Sequence, residues 1–176
     1  MESALIQLRR LLVFHTQEIA ETEWKALNTL LCLQYCKEGD RLPTSKGDIY
    51  FLSDGVILKT QRTTLTRIIK AEELIFVPLQ NKAVHFRALT DCSLLLLSRA
   101  ELYNFIEQFP RAIRIYDSLL DLWYEQTDER LALLELQKGE RIARFKELHK
   151  AVYPYMSRSD IANYIAVSDE YLRKCM

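Results

Sequence analysis

Glycine and proline are scarce, with four of each in 176 residues. That excludes a collagen-like repeat, a long flexible linker and a Pro/Gly-rich disordered tract. Long apolar runs are missing as well. Runs such as Leu94 to Leu97 have the length of a strand and fall far short of the ~20 residues a membrane helix needs. There is no secretory signal pattern, so the chain is expected to be cytoplasmic, with no membrane partner and with reduced thiols. Histidine occurs three times, at scattered positions. With no Gly-rich phosphate loop, no nucleophile–base set and no paired carboxylates at strand ends, no catalytic residue is assigned and an enzyme is not expected. The cysteines are Cys32, Cys36, Cys92 and Cys175. Cys32 and Cys36 have the spacing of a metal half-site, but they lie in an apolar strand-like run with no second pair in tandem. No metal site is assigned. His85, inside another strand pattern, is read as packed or surface-exposed rather than as a ligand.

An excess of charge of one sign is also lacking: the formal net charge is zero. The charge is unevenly divided, however. From Lys138 onward there are eight Lys/Arg against five Asp/Glu, a net of +3 that leaves −3 on the rest. This suits an acidic body with a mildly basic tail and is weaker than the basic stripe of a dedicated nucleic-acid binder. The hydrophobic share of 49% is enough for a core that needs no disulfide or metal staple.

Three regions follow one another. In the first thirty residues Ala4, Leu5, Leu8, Leu11 and Leu12 form a helical stripe, which Ile19, Trp24 and Leu27 continue, with a second short helix expected to start near Thr22. From about Leu30 to Ser98 the pattern is short strands: Leu31–Tyr35, Tyr50–Leu52, Val56–Leu58, Leu65–Ile69, Leu74–Val77, Val84–Ala88 and Leu94–Leu97. Ser53-Asp54-Gly55 has the composition of a hairpin turn, because Asp-Gly tolerates positive φ. About seven such strands predict a β-sandwich or jelly roll. Helices return at Arg99, stop at Pro110, and resume as one long helix over 111–137. There Ile113, Tyr116, Leu120 and Trp123 alternate three and four apart. This stripe is either a dimer seam or a face packed on the roll of its own chain. Lys138-Gly139 is expected to break the helix, and Ile142, Phe145, Leu148 and Val152 form the apolar face of the next.

The last twenty residues carry the sharpest pattern. Ser157-Arg158-Ser159-Asp160 is a capping box; Ile161, Ala162 and Ile165 point inward; Ala166-Val167-Ser168 is a turn; and Ser168 caps a further helix opened by Asp169-Glu170. Ala162, Val167 and Leu172, five apart, fit two helices that meet through a tight turn.

The segment Asp160 to Leu172 resembles the helix-turn-helix signature of the CRP/FNR family of bacterial transcription regulators. Lys37 to Leu42 resembles that family's first turn, Tyr50 to Val56 its Tyr-Phe hairpin, and Phe86 to Ser98 its last strands. The resemblance spans nearly the whole chain in the right order, nearest to the divergent members common in Bacteroidetes. It implies an α+β fold: an antiparallel β-roll sensor with flanking helices (1–110), a long dimerisation helix (111–137) and a C-terminal helix-turn-helix (138–176). The last is a truncated winged helix, short and without a wing, because from Asp169 to Met176 its second helix extends only about 12 Å. The resemblance also implies a homodimer on a pseudo-palindromic operator in double-stranded DNA. Glu170 stands where the family reads a base edge and Lys174 where it carries a base-reading Arg. Asp169 stands where many members are basic. Arg158, Ser168 and Arg173 are candidate phosphate contacts. The family's cyclic-nucleotide binders use a Gly-Glu and an Arg-Ser pair, and a gap-free comparison puts Ala71-Glu72 and Lys82-Ala83 there. Glu72, Lys82 and Ala83 thus outline an effector pocket without the guanidinium, hydroxyl and glycine that hold a phosphate. No cofactor is expected, cyclic AMP is not expected to bind, and any small-molecule effector is unidentified. The family's oxygen-sensing cluster would need several cysteines in an N-terminal extension, which this sequence does not offer. The alternative reading is a ligand-sensing or protein-interaction dimer of the same fold that has lost DNA binding.

Overall fold

The computed structural model describes residues 1–16, 19–80 and 83–175. Two helices, α1 (Glu2–Thr16) and α2 (Glu21–Leu30), precede seven strands: β1 (Cys32–Cys36), β2 (Ile49–Asp54), β3 (Val56–Gln61), β4 (Thr64–Lys70), β5 (Glu73–Phe76), β6 (Val84–Ala88) and β7 (Cys92–Leu97). Then come α3 (Arg99–Gln108), the long α4 (Ala112–Glu135), α5 (Lys138–Leu148), a 3₁₀ turn (Tyr153–Tyr155), α6 (Arg158–Tyr164) and α7 (Asp169–Cys175). The expected α+β order is present, and no described helix is long and apolar enough to cross a membrane.

The strands form two antiparallel sheets, ordered β1-β7-β2-β5 and β4-β3-β6. Their facing sides enclose Tyr50, Leu52, Ile57, Ile69, Ile75, Phe86 and Leu94, none more than 3% exposed. The strands of the first sheet are apolar on both faces because both are covered. Ile49, Phe51, Leu74, Phe76, Leu95 and Leu97 point outward onto Leu8, Leu12, Trp24, Leu27, Leu102, Phe105 and Leu119 of the four helices. The outer side of the second sheet, Leu58, Leu65 and Ile68, packs on Ile142, Phe145, Ile161 and Leu172 of the C-terminal helices. Each such aliphatic or aromatic side chain contributes roughly 1.5–3 kcal/mol on burial.

Several local expectations change. Ser53-Asp54-Gly55 is no hairpin, because β2 and β3 belong to different sheets. Gly55 (φ +96) marks the corner between them, and a Cβ there would stand 2.5 Å from the Asp91 carbonyl oxygen and 2.6 Å from Cys92 Sγ. Close approach, as much as turn geometry, requires glycine there. The tight hairpin is Gln61-Arg62-Thr63-Thr64, with Arg62 at φ +56 and its N–H donating to the Ala83 carbonyl at 2.8 Å. Helix α2 starts one residue before Thr22: Glu23 reaches back to accept from the Ala20 N–H at 2.9 Å. The break after α4 falls at Leu136-Gln137, both extended, where Glu140 accepts from the Gln137 N–H. Lys138-Gly139 instead opens α5, since the capping carboxylate fixes the start of that helix ahead of them.

Candidate nucleic-acid interface

The C-terminal pair of helices is built as the sequence suggests. Ser157 Oγ accepts from the Asp160 N–H at 3.0 Å and donates to Asp160 Oδ2 at 2.8 Å, starting α6. Ile161, Ala162, Tyr164 and Ile165 are buried. Ala166 takes φ +53, which turns the chain, and the Val167 N–H closes back on the Ala162 carbonyl at 3.0 Å. Ser168 Oγ accepts from the Tyr171 N–H at 3.1 Å and caps α7. Fully buried Leu172 docks α7, which leaves Asp169, Glu170, Arg173 and Lys174 exposed on one outward face; Ser168 and Arg158 are exposed as well. Glu170 and Lys174 pair with each other across one helical turn at 2.8 Å, and both are two-thirds exposed.

The anchors of this module were not legible in the sequence. Arg141 on α5 donates to three carbonyls: Leu136 (2.8 Å) and Leu134 (2.7 Å) at the end of α4, and Ile165 (3.2 Å) at the end of α6. A cation at two helix C-termini meets both the orphan carbonyls and the negative end of the dipole. Arg130 on α4 donates to the Tyr164 carbonyl at 2.8 Å and lies over its ring; burial lowers its pKa. His149, 1% exposed, packs between Phe145 and Tyr164 and places Nε2 3.0 Å from Glu129 of α4. That close contact, opposed by burial and aided by Lys70, holds the Glu129 carboxyl below its usual range. Burial drives the Tyr164 hydroxyl far above the ordinary tyrosine value. Asp160 pairs with Arg87 of β6 at 3.1 Å. Isolated polar residues at helix ends have no periodicity, so only the folded chain reveals them.

The four stripe residues of α4 divide between two environments. Tyr116 and Trp123 meet Phe76 of the same chain edge to face, with centroids 5.9 and 6.0 Å apart, and Leu120 also packs against the shared core. Ile113 is 44% exposed. The exposed apolar line on α4 instead runs through Ile113, Tyr124 and Leu131, with half-buried Leu120 between. Tyr124 and Leu131 were hidden by the stronger Trp123 signal.

Glu72 and Ala83, the two effector-pocket candidates among the described residues, stand apart. Glu72 (φ +69) is exposed at the corner after β4, with its N–H on the Leu52 carbonyl. Ala83 (φ +51) lies at the opposite end of β4, beside Arg62. Seven strand residues, about 20 Å, separate the two. Lys82 lies outside the described residues.

No protein-family model matches the sequence, and no curated protein matches it. Solved structures do. FixK2 from Bradyrhizobium japonicum is similar at a TM-score of 0.66 and 15% identity, over 82% of each chain. The c-di-GMP-responsive global regulator CLP of Xanthomonas campestris is similar at 0.66 and 16%, over 89% of each chain. A protein from Eubacterium rectale described as a CRP/FNR-family transcriptional regulator reaches 0.72 at 11%, over 90% of this chain and 82% of that one. The chain therefore has the fold of the CRP/FNR-type regulators, a cyclic-nucleotide-binding-like β-roll carrying a long helix and C-terminal helices.

Proposed function

We propose that this chain is a non-catalytic transcription regulator that binds a pseudo-palindromic site in double-stranded DNA as a homodimer. One observation carries the reading. A helix pair with a closed apolar core presents the polar face of its second helix, Asp169, Glu170, Arg173 and Lys174, outward from a regulator-type fold. In this reading Glu170 accepts from cytosine N4, Lys174 donates to guanine, and Arg173, Arg158 and Ser168 meet phosphates. Dimerisation runs along α4 through Ile113, Leu120, Tyr124 and Leu131, which are spaced seven, four and seven apart as a helical seam requires. The separation of Glu72 from Ala83 speaks against a cyclic nucleotide held at those positions. Selection of bound sequences from a random duplex pool tests the function: enrichment of an inverted repeat supports it, and an unenriched pool contradicts it. A second reading, a sensing dimer without DNA binding, draws on the Glu170–Lys174 pair, which engages both base-reading candidates with each other.

A further inference from the structure

The fold sets two cysteines that are far apart in the sequence against each other. In the antiparallel register of β1 and β7, Cys36 stands directly opposite Cys92. Both side chains lie on the inward face of their strands, in the core between the two sheets, 5% and 3% exposed. Directly opposed residues of such a pair have their Cα atoms, and likewise their Cβ atoms, about 4.5–5.5 Å apart. A disulfide spans Cα separations of about 4.4–6.8 Å and Cβ separations of about 3.5–4.5 Å. The backbone spacing therefore suits a bridge, and the Cβ atoms need to approach by about 1 Å at most. β1 can supply that movement. It is an edge strand with β7 as its one strand neighbour, and Cys36 is its last residue before the turn at Glu38-Gly39. Both thiols are free and make only weak contacts elsewhere. Cys36 Sγ lies 3.8 Å from the Asp40 carbonyl, and Cys92 Sγ lies 3.2 Å from that of Thr90 and 3.5 Å from that of Val56. Burial raises the Cys92 pKa, its contacts with Val56 and Thr90 oppose the rise, and the nearby Cys36 adds to it.

We propose that Cys36 and Cys92 are an oxidisable dithiol, converted by a peroxide into an intrachain disulfide that crosses from β1 to β7. One thiolate attacks a peroxide oxygen, breaks the O–O bond and becomes a sulfenic acid, and the departing hydroxide takes up the displaced proton as water. The second thiol then attacks that sulfur, closes the S–S bond and releases a second water. Two thiols are thus oxidised and one peroxide is reduced. Because both sulfurs are buried, the first step waits on local opening of the end of the edge strand, which leaves the rest of the roll in place. The bond staples β1, which follows α2, to β7, which leads into α3. It also closes a long covalent loop around β2 to β6, a constraint that bears chiefly on the unfolded chain.

The test involves no DNA, so it stands or falls apart from the proposed regulator. Cys32→Ser/Cys175→Ser removes the two exposed thiols and leaves the buried pair. The full chain carrying both changes is treated with hydrogen peroxide in native buffer, then unfolded and alkylated, and its remaining thiols are counted by mass. Both thiols are expected to be lost to a link between the peptides that hold Cys36 and Cys92, within one chain, and to return with dithiothreitol. Peptide mapping of the oxidised wild-type chain should find the same link. Adding Cys92→Ser should abolish the intrachain bridge. The proposal is overturned if both thiols survive peroxide that fully oxidises a dithiothreitol control, or if they react only in urea. It is equally overturned if the bridge joins two chains, or if single cysteines advance to sulfinic acid without a bridge.

Discussion

The side-chain amide of Asn163 completes the edge of the second sheet: its Oδ1 accepts from the Leu65 N–H at 2.7 Å and its Nδ2 donates to the Thr63 carbonyl at 2.8 Å. β4 is an edge strand, and such a strand leaves a row of backbone groups without partners. One asparagine on α6 stands in for the missing strand and ties the C-terminal helices to the β-roll. Asn163→Ala is expected to destabilise the chain by about 1–2 kcal/mol, the cost of two lost hydrogen bonds at a partly exposed site. Asn163→Asp keeps the acceptor and loses the donor. Urea unfolding should rank them wild type, then aspartate, then alanine.

Arg141 joins the ends of α4 and α6 through three carbonyls, whereas among the described residues Arg144, one turn along α5, makes an exposed pair with Glu147 and no other ion pair. Arg141→Met should therefore cost about 2–3 kcal/mol, and Arg144→Met less than about 0.5 kcal/mol. Equal effects would show that the carbonyl anchor is idle.

Acid should loosen the junction between α4 and the C-terminal helices. Glu129 faces His149, Lys70 and Arg67, and its carboxyl lies below the usual value of 4.5. A depressed carboxylate contributes stability that is complete above the unfolded-state value and is lost as pH falls through the folded-state one. The stability gap between wild type and Glu129→Gln is expected to hold steady near pH 5 and to shrink as pH falls below about 4.5. Glu73, raised mainly by burial, acts with the opposite sign, since its protonated form is the one favoured by folding. The comparison is therefore made between variants at each pH rather than along one profile.

The dimer seam proposed for α4 leaves out Trp123, which the sequence stripe included. Tyr124→Lys with Leu131→Lys should shift the mass measured by light scattering from dimer to monomer while leaving the circular dichroism unchanged, because both side chains are more than half exposed. Trp123→Ala should instead lower stability by about 3 kcal/mol through loss of its packing on Phe76.

Much of this architecture was readable from the residues themselves. Val84–Ala88 and the capped starts at Ser157 and Ser168 follow from alternation and from hydroxyls that accept N–H bonds, both of which are local effects. The Asp54-Gly55 turn was legible only as a turn. Whether the chain folds back beside itself or crosses to another sheet depends on β5 and β7, which are distant in sequence. Likewise, the heptad-like spacing of Tyr116 and Trp123 does not say whether Phe76 or a second copy receives them. On α7, burial of Leu172 alone fixes which way that short helix turns and so leaves Asp169, Glu170, Arg173 and Lys174 exposed. The opposition of Cys36 and Cys92 comes from the pairing of the first strand with the last, which no periodicity encodes.

The central claim is that the exposed face of α7 reads DNA. It is tested most directly by fluorescence anisotropy with the selected inverted repeat and a scrambled duplex at several salt concentrations. Specific binding that weakens linearly on a logarithmic salt scale is predicted, with Lys174→Ala losing discrimination between the duplexes by about 1–3 kcal/mol and Arg173→Ala lowering affinity for both and reducing the salt slope by about one. Equal affinity of the wild-type chain for the two duplexes at moderate salt would contradict it.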